Sequence, residues 1–455
     1  MEHEATVLST VGRPAGVLPV VRSQLRLAVA YMARAAVVAL AAGPLAAQSG
    51  GSMDTVRLTQ SEVRTRALRS NPELLAVRLD TAIARGSLRQ ASLPLRFNPV
   101  VEALGARGGN GMEAAVSLEI EAFGQRAARV DGGRAGLARA DASVANAARL
   151  TIVEADRTFY RLVAATRRVL LADEVLSLNQ RLADVAKRQL AAGEISRLDY
   201  NLAVVEFGRS RSRALASRRE QERTVLELER LIGLPRGTPI DPLLDPSQHT
   251  EQYLTGLADS AGGLDAERLT KIALNRRPDV AEQVAAARQA GSTVTLAQRE
   301  ALPNIVVRAA SEPLASGSGR AVRPGLGLSL PIFNLNRGEV AARRAAARQA
   351  ELARLAMERR VGAEVASAVA SYKSAALEVD VLESTVLGPA RQNRQLSETA
   401  YREGEIGLPV LLLIRNQVID AELEYWTAWL AERESLAALL AATGHNLLPV
   451  SEVSR

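Results

Sequence analysis

The sequence predicts a mainly α-helical protein that also carries two short β-hairpins, and three observations predict it. Long stretches with little or no proline are rich in Ala, Leu, Arg and Glu, residues of high helix propensity. Two short segments leave that pattern and alternate apolar with polar residues, the period of a strand. Landmarks of the first half of the chain recur in the same order in the second half, as in a duplicated unit.

Composition narrows the function classes. The chain has 455 residues, of which 47% are hydrophobic, enough apolar material to offset the entropy of ordering and to exclude a disordered chain. Cysteine is absent, so no disulfide, thiolate metal site or cysteine nucleophile can form. The three histidines, His3, His249 and His445, lie far apart, which argues against a His-rich metal site. The 57 basic and 50 acidic residues are interleaved, so the net charge of +7 reads as solvated helix faces and not as a nucleic-acid patch. No Ser/His/Asp arrangement or phosphate-binding loop stands out, since the Gly-rich pieces lack a Lys-Ser/Thr partner. No catalytic residue, cofactor or bound metal is therefore expected.

In chain order, the first feature is a targeting segment. Met32-Ala33-Arg34 precedes the apolar run Ala35–Ala42, and small residues follow through Ala47. A basic start, a short apolar stretch and a small-residue exit form the pattern of a secretory signal peptide. Residues 1–47 are assigned to it, with translation expected to start at Met32 and cleavage between Ala47 and Ser52. No later segment offers about 20 apolar residues, the length of a membrane-spanning helix. An exported chain without such a span belongs in the periplasm, outside the cell, or in an outer-membrane barrel.

The duplication divides the rest. Asn71-Pro72-Glu73-Leu74 matches Arg277-Pro278-Asp279-Val280, and Phe123-Gly124 matches Phe333-Asn334. Gly193-Glu194-Ile195-Ser196 matches Gly404-Glu405-Ile406-Gly407, and Leu231-Ile232-Gly233 matches Ala442-Thr443-Gly444. These landmarks define repeats at 55–233 and 265–444, joined by a Pro- and Asp-rich linker at 234–264 and followed by a tail at 445–455. Each repeat should contain one helix of about 35 residues, a β-hairpin, and a long helical hairpin. The first helix is expected from Thr59 to Leu93, with Thr59 and Glu62 as a capping box.

The hairpins are placed at 98–123 and 304–333. In the first, Met112, Ala114, Val116, Leu118 and Ile120 alternate with Glu113, Ser117, Glu119 and Glu121. In the second, Val322, Leu326, Leu328, Leu330 and Ile332 alternate with Arg323, Gly325, Gly327 and Ser329. Two readings fit such strands: an outer-membrane barrel, or a soluble sheet with one face on a core. The helical hairpins are placed at 125–232 and 335–443. Gln125–Ala192 contains no proline and would be about 100 Å long as one helix. Leu335–Glu403 contains only Pro389. Apolar positions 3–4 apart, Leu171, Val175, Leu178, Leu182 and Val185, and again Val365, Val369, Tyr372, Ala376 and Val379, describe coiled-coil seams. Two hairpins cannot close a barrel alone, whereas three chains would supply twelve strands and as many helical segments.

With these pieces in order, the chain resembles the TolC-like outer-membrane efflux proteins over about residues 55–444. The carrying motifs are Leu58-Thr59-Gln60-Ser61-Glu62 with Asn71–Leu74, Arg276–Val280, the Gly327–Gly338 stretch, and Tyr401–Gly407. Pro331–Gly338 further resembles the CzcC-like heavy-metal efflux branch. The resemblance implies a homotrimer with a twelve-stranded barrel in outer-membrane lipid, continued by an α-helical tunnel across the periplasm. It implies a passive exit duct whose helical tips dock a periplasmic adaptor protein linked to an inner-membrane pump, exporting heavy-metal cations or drugs. A type I protein-secretion duct lies within the same family. A soluble periplasmic coiled-coil scaffold is the alternative from another class.

On that basis the tips should carry function: Gly193, Glu194, Ile195, Ser196 and Leu198 in the first repeat, and Gly404, Glu405, Ile406, Leu408 and Leu411 in the second. Leu408–Ile414 is apolar for an exposed turn, which fits packing between helices or a docking surface as well. Some relatives close the entrance with aspartates just after the second tip. Here Val410 and Leu413 occupy those positions, and Asp199 is the first-repeat equivalent of Val410. A threefold ring of Asp199 and lumen rings of Glu119 and Glu121 are the candidate gate and lining groups. Phe97, Phe123 and Phe333 are candidates for an interfacial aromatic girdle or for packing on helix caps.

Overall fold

The computed structural model describes residues 55–105, 112–244, 257, 263–313, 319–328 and 330–445. The expected targeting segment, the tail after His445, both hairpin tips and the middle of the linker lie outside these residues.

The first repeat opens with β1 (Val56–Leu58), α1 (Gln60–Ser70) and α2 (Pro72–Ala91). The Thr59 hydroxyl receives the Glu62 N–H, and the Glu62 carboxylate accepts the Thr59 N–H at 2.8 Å, so the capping box forms as the sequence predicts. The single helix expected over 59–93 is, however, two helices. Pro72 has no N–H to donate and pushes the residue before it out of the helical region. Asn71 is accordingly extended, and its side chain accepts the Leu74 N–H at 3.0 Å to start α2. Strands β2 (Val100–Gly105) and β3 (Met112–Ile120) follow, then α3 (Gln125–Ala191), α4 (Arg197–Ile232) and the short β4 (Ile240–Pro242). α3 runs 67 residues without a break, about 100 Å.

The second repeat has α5 (Ala266–Arg276) and α6 (Pro278–Glu300), split in the same way before Pro278. Strands β5 (Ile305–Pro313) and β6 (Arg320–Leu328) precede α7 (Arg337–Val381), a π-helical turn (Leu382–Leu387), α8 (Gly388–Arg402) and α9 (Leu408–Thr443). The π-turn sits just before Pro389. Proline lacks a donor and crowds the carbonyl four residues back, and a widened turn is one way a helix passes it.

The duplication is close at its ends and looser in its middle. Gly193, Gly233, Gly404 and Gly444 all have positive φ. At both tips the chain closes the helix with paired bonds: Glu194 N–H to Gln189 O and Gly193 N–H to Leu190 O, then Glu405 N–H to Ala400 O and Gly404 N–H to Tyr401 O. The left-handed residue that starts each long helix is Gly124 in the first repeat and Asn336 in the second. The expected match of Gly124 to Asn334 is therefore shifted by two residues, because the connection from β6 to α7 is longer than that from β3 to α3.

The cores lie where the helices converge. One joins Leu58, Val63, Phe159, Leu162, Leu228 and Trp429, and another joins Leu269, Val361, Val365, Val369, Tyr372 and Leu439. Of the expected seams, Val175, Val365, Val369 and Tyr372 are buried and the remaining positions are half-buried. β1 pairs in parallel with β4, a ladder of three residues that ties the start of the first repeat to the linker. Among the described residues no helix is long and apolar enough to cross a membrane.

Candidate functional site

Both hairpins join one four-stranded antiparallel sheet in the order β2-β3-β5-β6, so the two repeats meet edge to edge through β3 and β5. Register sorts the side chains. Leu118 is level with Val307 and Leu326, Ile120 with Ile305 and Leu328, and Val116 with Val101 and Ala309. Side chains level in register share a face, so this face is apolar. It is also open to the surroundings: Leu326 is 82% and Val322 70% exposed. Leu330, expected on the same strand face, lies past the end of β6.

The opposite face is mixed: it carries Glu102, Glu113, Ser117, Glu119, Arg308 and Arg323 among small residues such as Ala115 and Gly325, together with Val100, Leu104 and Val306. Its two arginines are paired, while its carboxylates outnumber them. Arg308 lies 3.3 Å from Glu102 and 3.7 Å from Glu113, and Arg323 lies 3.1 Å from Glu312. Glu119 keeps its place on this face and accepts a bond from Asn304 Nδ2 at 2.6 Å. Glu121 does not present the free carboxylate expected of a lining group. It follows β3, its side chain is 5% exposed, and Arg129 and Arg96 both pair with it. Of the three phenylalanines, Phe333 is fully exposed, Phe123 is exposed, and Phe97 is half-buried with the Arg96 guanidinium 5.5 Å from its ring centre.

The two helical tips come together at the far end of α3. Gly193, Ile195, Ser196 and Asp199 face Tyr401, Gly404, Ile406 and Leu408 across one cleft. Below it Leu408, Leu411 and Leu412 are buried with Ala186 and Ala203, and Ile195 and Ile406 pack on them. Leu408 and Leu411 thus pack between the hairpins, the first of the two readings given for this run. Leu198, Val410 and Leu413 are exposed, as are Glu194 and Glu405. Asp199 caps α4. Its carboxylate accepts from the Ser196 hydroxyl at 2.7 Å and from the Ser196 N–H at 3.3 Å. Gly407 replaces Ser196 in the second repeat, so α9 starts without a side-chain cap.

The motif Arg277-Pro278-Asp279 builds something that the sequence did not announce. Arg277 grips Asp279 with bonds of 3.0 and 2.6 Å and pairs with Glu364 of α7 at 2.7 Å. Arg149 of α3 reaches Asp279 at 3.4 Å and the Ala441 carbonyl at 2.9 Å, while Arg277 reaches the Ala442 carbonyl at 3.3 Å. Two cations at the C-terminus of α9 satisfy carbonyls that the helix itself leaves open. Burial alone would raise the Asp279 carboxyl, but the bonds and charge of Arg277, with Arg149, hold it below the ordinary carboxylate value. Burial pulls Arg149 down, opposed by Asp279. The signals available in sequence were Arg149 between Ala148 and Leu150 on α3 and the Arg277-Pro278-Asp279 motif itself.

Residues 269–445 match the family model described as outer membrane efflux protein. Solved structures extend the likeness to both repeats. A CusC structure superposes with a TM-score of 0.70 at 18% identity, covering 88% of this chain and 96% of that one.

The chain has the fold of the TolC-like outer-membrane efflux proteins.

A membrane protein from Pseudomonas aeruginosa matches with a TM-score of 0.71 at 20% identity over 89% of this chain and 95% of that one. The CmeC outer membrane channel of Campylobacter jejuni matches with 0.71 at 16% identity over 87% and 89%. No curated protein sequence matches the chain. In the frame of this TolC-like fold, the open sheet and the paired tips are the two ends of one elongated unit joined by α3.

Proposed function

We propose that the chain is the outer-membrane channel of a tripartite efflux system, a passive duct without catalysis of its own. The observation that carries this reading is the four-stranded sheet. One face is apolar and exposed, the other carries all of the sheet's carboxylates and two paired arginines, and the outer strands β2 and β6 are edges. An exposed sheet edge is a template for pairing with another chain, and closure into a barrel removes it. Three copies pairing β6 with β2 make a twelve-stranded barrel with its apolar face toward lipid. The family match over the second repeat and the fold of both repeats support the same assignment.

In this reading the helices form the periplasmic tunnel. The exposed residues around the tips, Glu194, Leu198, Glu405 and Val410, meet a periplasmic adaptor that leads to an inner-membrane pump. Cargo, whether metal cations or drugs, is chosen by that pump. Expression in a Gram-negative host followed by fractionation tests the proposal. The chain is expected in the detergent-extracted outer-membrane fraction, crosslinked as a trimer, and conducting in a planar bilayer. Release of the chain with the soluble periplasm would instead establish a coiled-coil scaffold.

A further inference from the structure

The ends of α2 and α7 next to the sheet carry an excess of one charge. Residues 81–99 include Arg85, Arg89 and Arg96 and no acidic residue. Residues 335–350 include Arg337, Arg343, Arg344 and Arg348 against Glu339, which is taken by Arg343 at 2.6 Å. Arg85, Arg89, Arg337, Arg344 and Arg348 are all exposed, and none has a carboxylate partner among the described residues. At the tips, by contrast, both signs are exposed: Glu194 and Glu405 stand among Arg188, Arg197 and Arg402.

Helix stability alone does not ask for this placement. Arg85 and Arg89, and again Arg344 and Arg348, are like charges four residues apart, an arrangement that destabilises an isolated helix. Arg337 stands in the first turn of α7, where the helix dipole disfavours a cation. At about 100° per residue, Arg85 and Arg89 lie on the side of α2 opposite Asp80, and Arg337, Arg344 and Arg348 on the side of α7 opposite Glu339. Both helix ends therefore sort charge by side, as the sheet sorts its carboxylates from its apolar face.

Apolar groups stand between these arginines and the sheet. Leu93 and Leu95 follow α2, and Ile332, Phe333 and Leu335 precede α7, all exposed. Beside Arg85 and Arg89 a groove of about 480 Å³ opens over Leu88, Leu93 and Pro94. Exposed apolar groups followed within a few residues by unpaired arginines match the order of a lipid leaflet, acyl chains first and phosphates next. α2 packs on α3, α3 on α6 and α6 on α7, so α2 and α7 are the outer helices, as β2 and β6 are the outer strands. Pairing of three copies brings α7 of one beside α2 of the next, and their arginines into one patch at each seam.

We propose that this patch binds anionic phospholipid headgroups. Arg85 and Arg89 of one copy, with Arg337 and Arg344 of the next, take the phosphate, and the glycerol and chains lie over the groove. A planar guanidinium donates two parallel N–H bonds to phosphate oxygens, which suits it to this task. The inference rests on the channel reading, which puts the sheet in the membrane and these helix ends at its periplasmic surface.

Native mass spectrometry of the full chain in a nonionic detergent tests it, counting bound phosphatidylglycerol against phosphatidylethanolamine with the same acyl chains. Preferential retention of phosphatidylglycerol is expected, weakening as the salt concentration is raised. Arg85→Gln with Arg89→Gln, or Arg337→Gln with Arg344→Gln, should each lower its affinity about twentyfold, taking about fivefold for each arginine near a charged lipid surface. Arg188→Gln with Arg197→Gln removes the same charge at the tips and should leave that affinity unchanged. Equal retention of the two lipids by the wild-type chain, an equal loss in the tip variant, or full displacement of the lipid by inorganic phosphate overturns the proposal. Recovery of the trimer from the outer membrane scores the channel reading separately. A chain that inserts normally but shows no lipid preference refutes the lipid patch alone, and one released with the soluble periplasm refutes the channel.

Discussion

At the scale of single residues, the Arg149–Asp279–Arg277–Glu364 cluster has the most at stake, because its charges are buried and mutually dependent. Asp279→Ala leaves two buried guanidinium groups short of their shared acceptor. Breaking a buried pair from one side costs about 3–5 kcal/mol, and equilibrium denaturation in detergent should show a loss of that order. The pH dependence has a definite sign. Asp279 is held below its ordinary value by Arg277 despite burial, so the folded state binds this proton less tightly than the unfolded one. Its stabilisation is complete above about pH 3.9 and disappears as pH falls through the folded value. Asp279→Asn should remove that acid-dependent component from the melting curve. Glu432 behaves in the opposite sense. Burial raises its carboxyl, with Arg433 opposing, so the ionised form is penalised in the folded state. Glu432→Gln should raise the melting temperature at neutral pH, and the gain should shrink as acidification protonates the native carboxyl.

At the scale of elements, glycines at helix ends separate conformational strain from crowding. Gly193 and Gly233 have φ of 78° and 69°, where a side chain costs about 1–2 kcal/mol. A Cβ on Gly193 meets nothing within 4 Å, whereas one on Gly233 lies 2.8 Å from the Ser70 Cβ. Gly233→Ala should therefore lower thermal stability more than Gly193→Ala, and melting curves of the two variants provide the comparison. The breaks at Pro72 and Pro278 were missed, because one helix was carried through each proline although a proline at a helix start is a local signal. Gly193, Gly233 and the Thr59 capping box also act locally, and that chemistry was legible in sequence. So were the strands, whose alternation persists over about nine residues. The β1–β4 ladder was not legible, because three residues carry no period and their pairing depends on distant chain. Nor was the π-turn, since Pro389 marks an interruption without specifying how the helix absorbs it. Pro331–Leu335 misled by resemblance alone: Phe333-Asn334 looks like Phe123-Gly124, yet Asn336 adopts the left-handed start. At the tips, sequence located the turn correctly, but whether Leu408 or Leu198 faces outward depends on how two hairpins far apart in the chain pack together.

At the scale of the whole molecule, the two ends of the long helices make separable demands. At the sheet, Leu326 lies on the apolar face, level with Val307 and Leu118. If that face meets lipid, Leu326→Arg costs about 2–4 kcal/mol near the bilayer midplane, and the amount of crosslinkable trimer extracted from the membrane should fall. At the tips, exposure and burial distinguish docking from packing. Leu198 is 68% exposed and Leu408 is 5% exposed, though both lie within one turn of a helix start. Leu408→Asp buries an unpaired charge in the cluster of Leu411, Leu412 and Ala186, a substitution that proteins rarely tolerate. It should reduce the level of folded, assembled chain, and export should fall only in proportion. Leu198→Asp disturbs no core contact, so assembly and membrane insertion should stay at the wild-type level. A surface desolvated by an adaptor cannot accept an unpaired carboxylate without cost. Export and crosslinking to the adaptor should therefore fall in Leu198→Asp while trimer abundance holds. Unchanged export in that variant would place the adaptor contact elsewhere on the hairpins, because the about 100 Å of α3 keeps any effect at the tip from reaching the sheet.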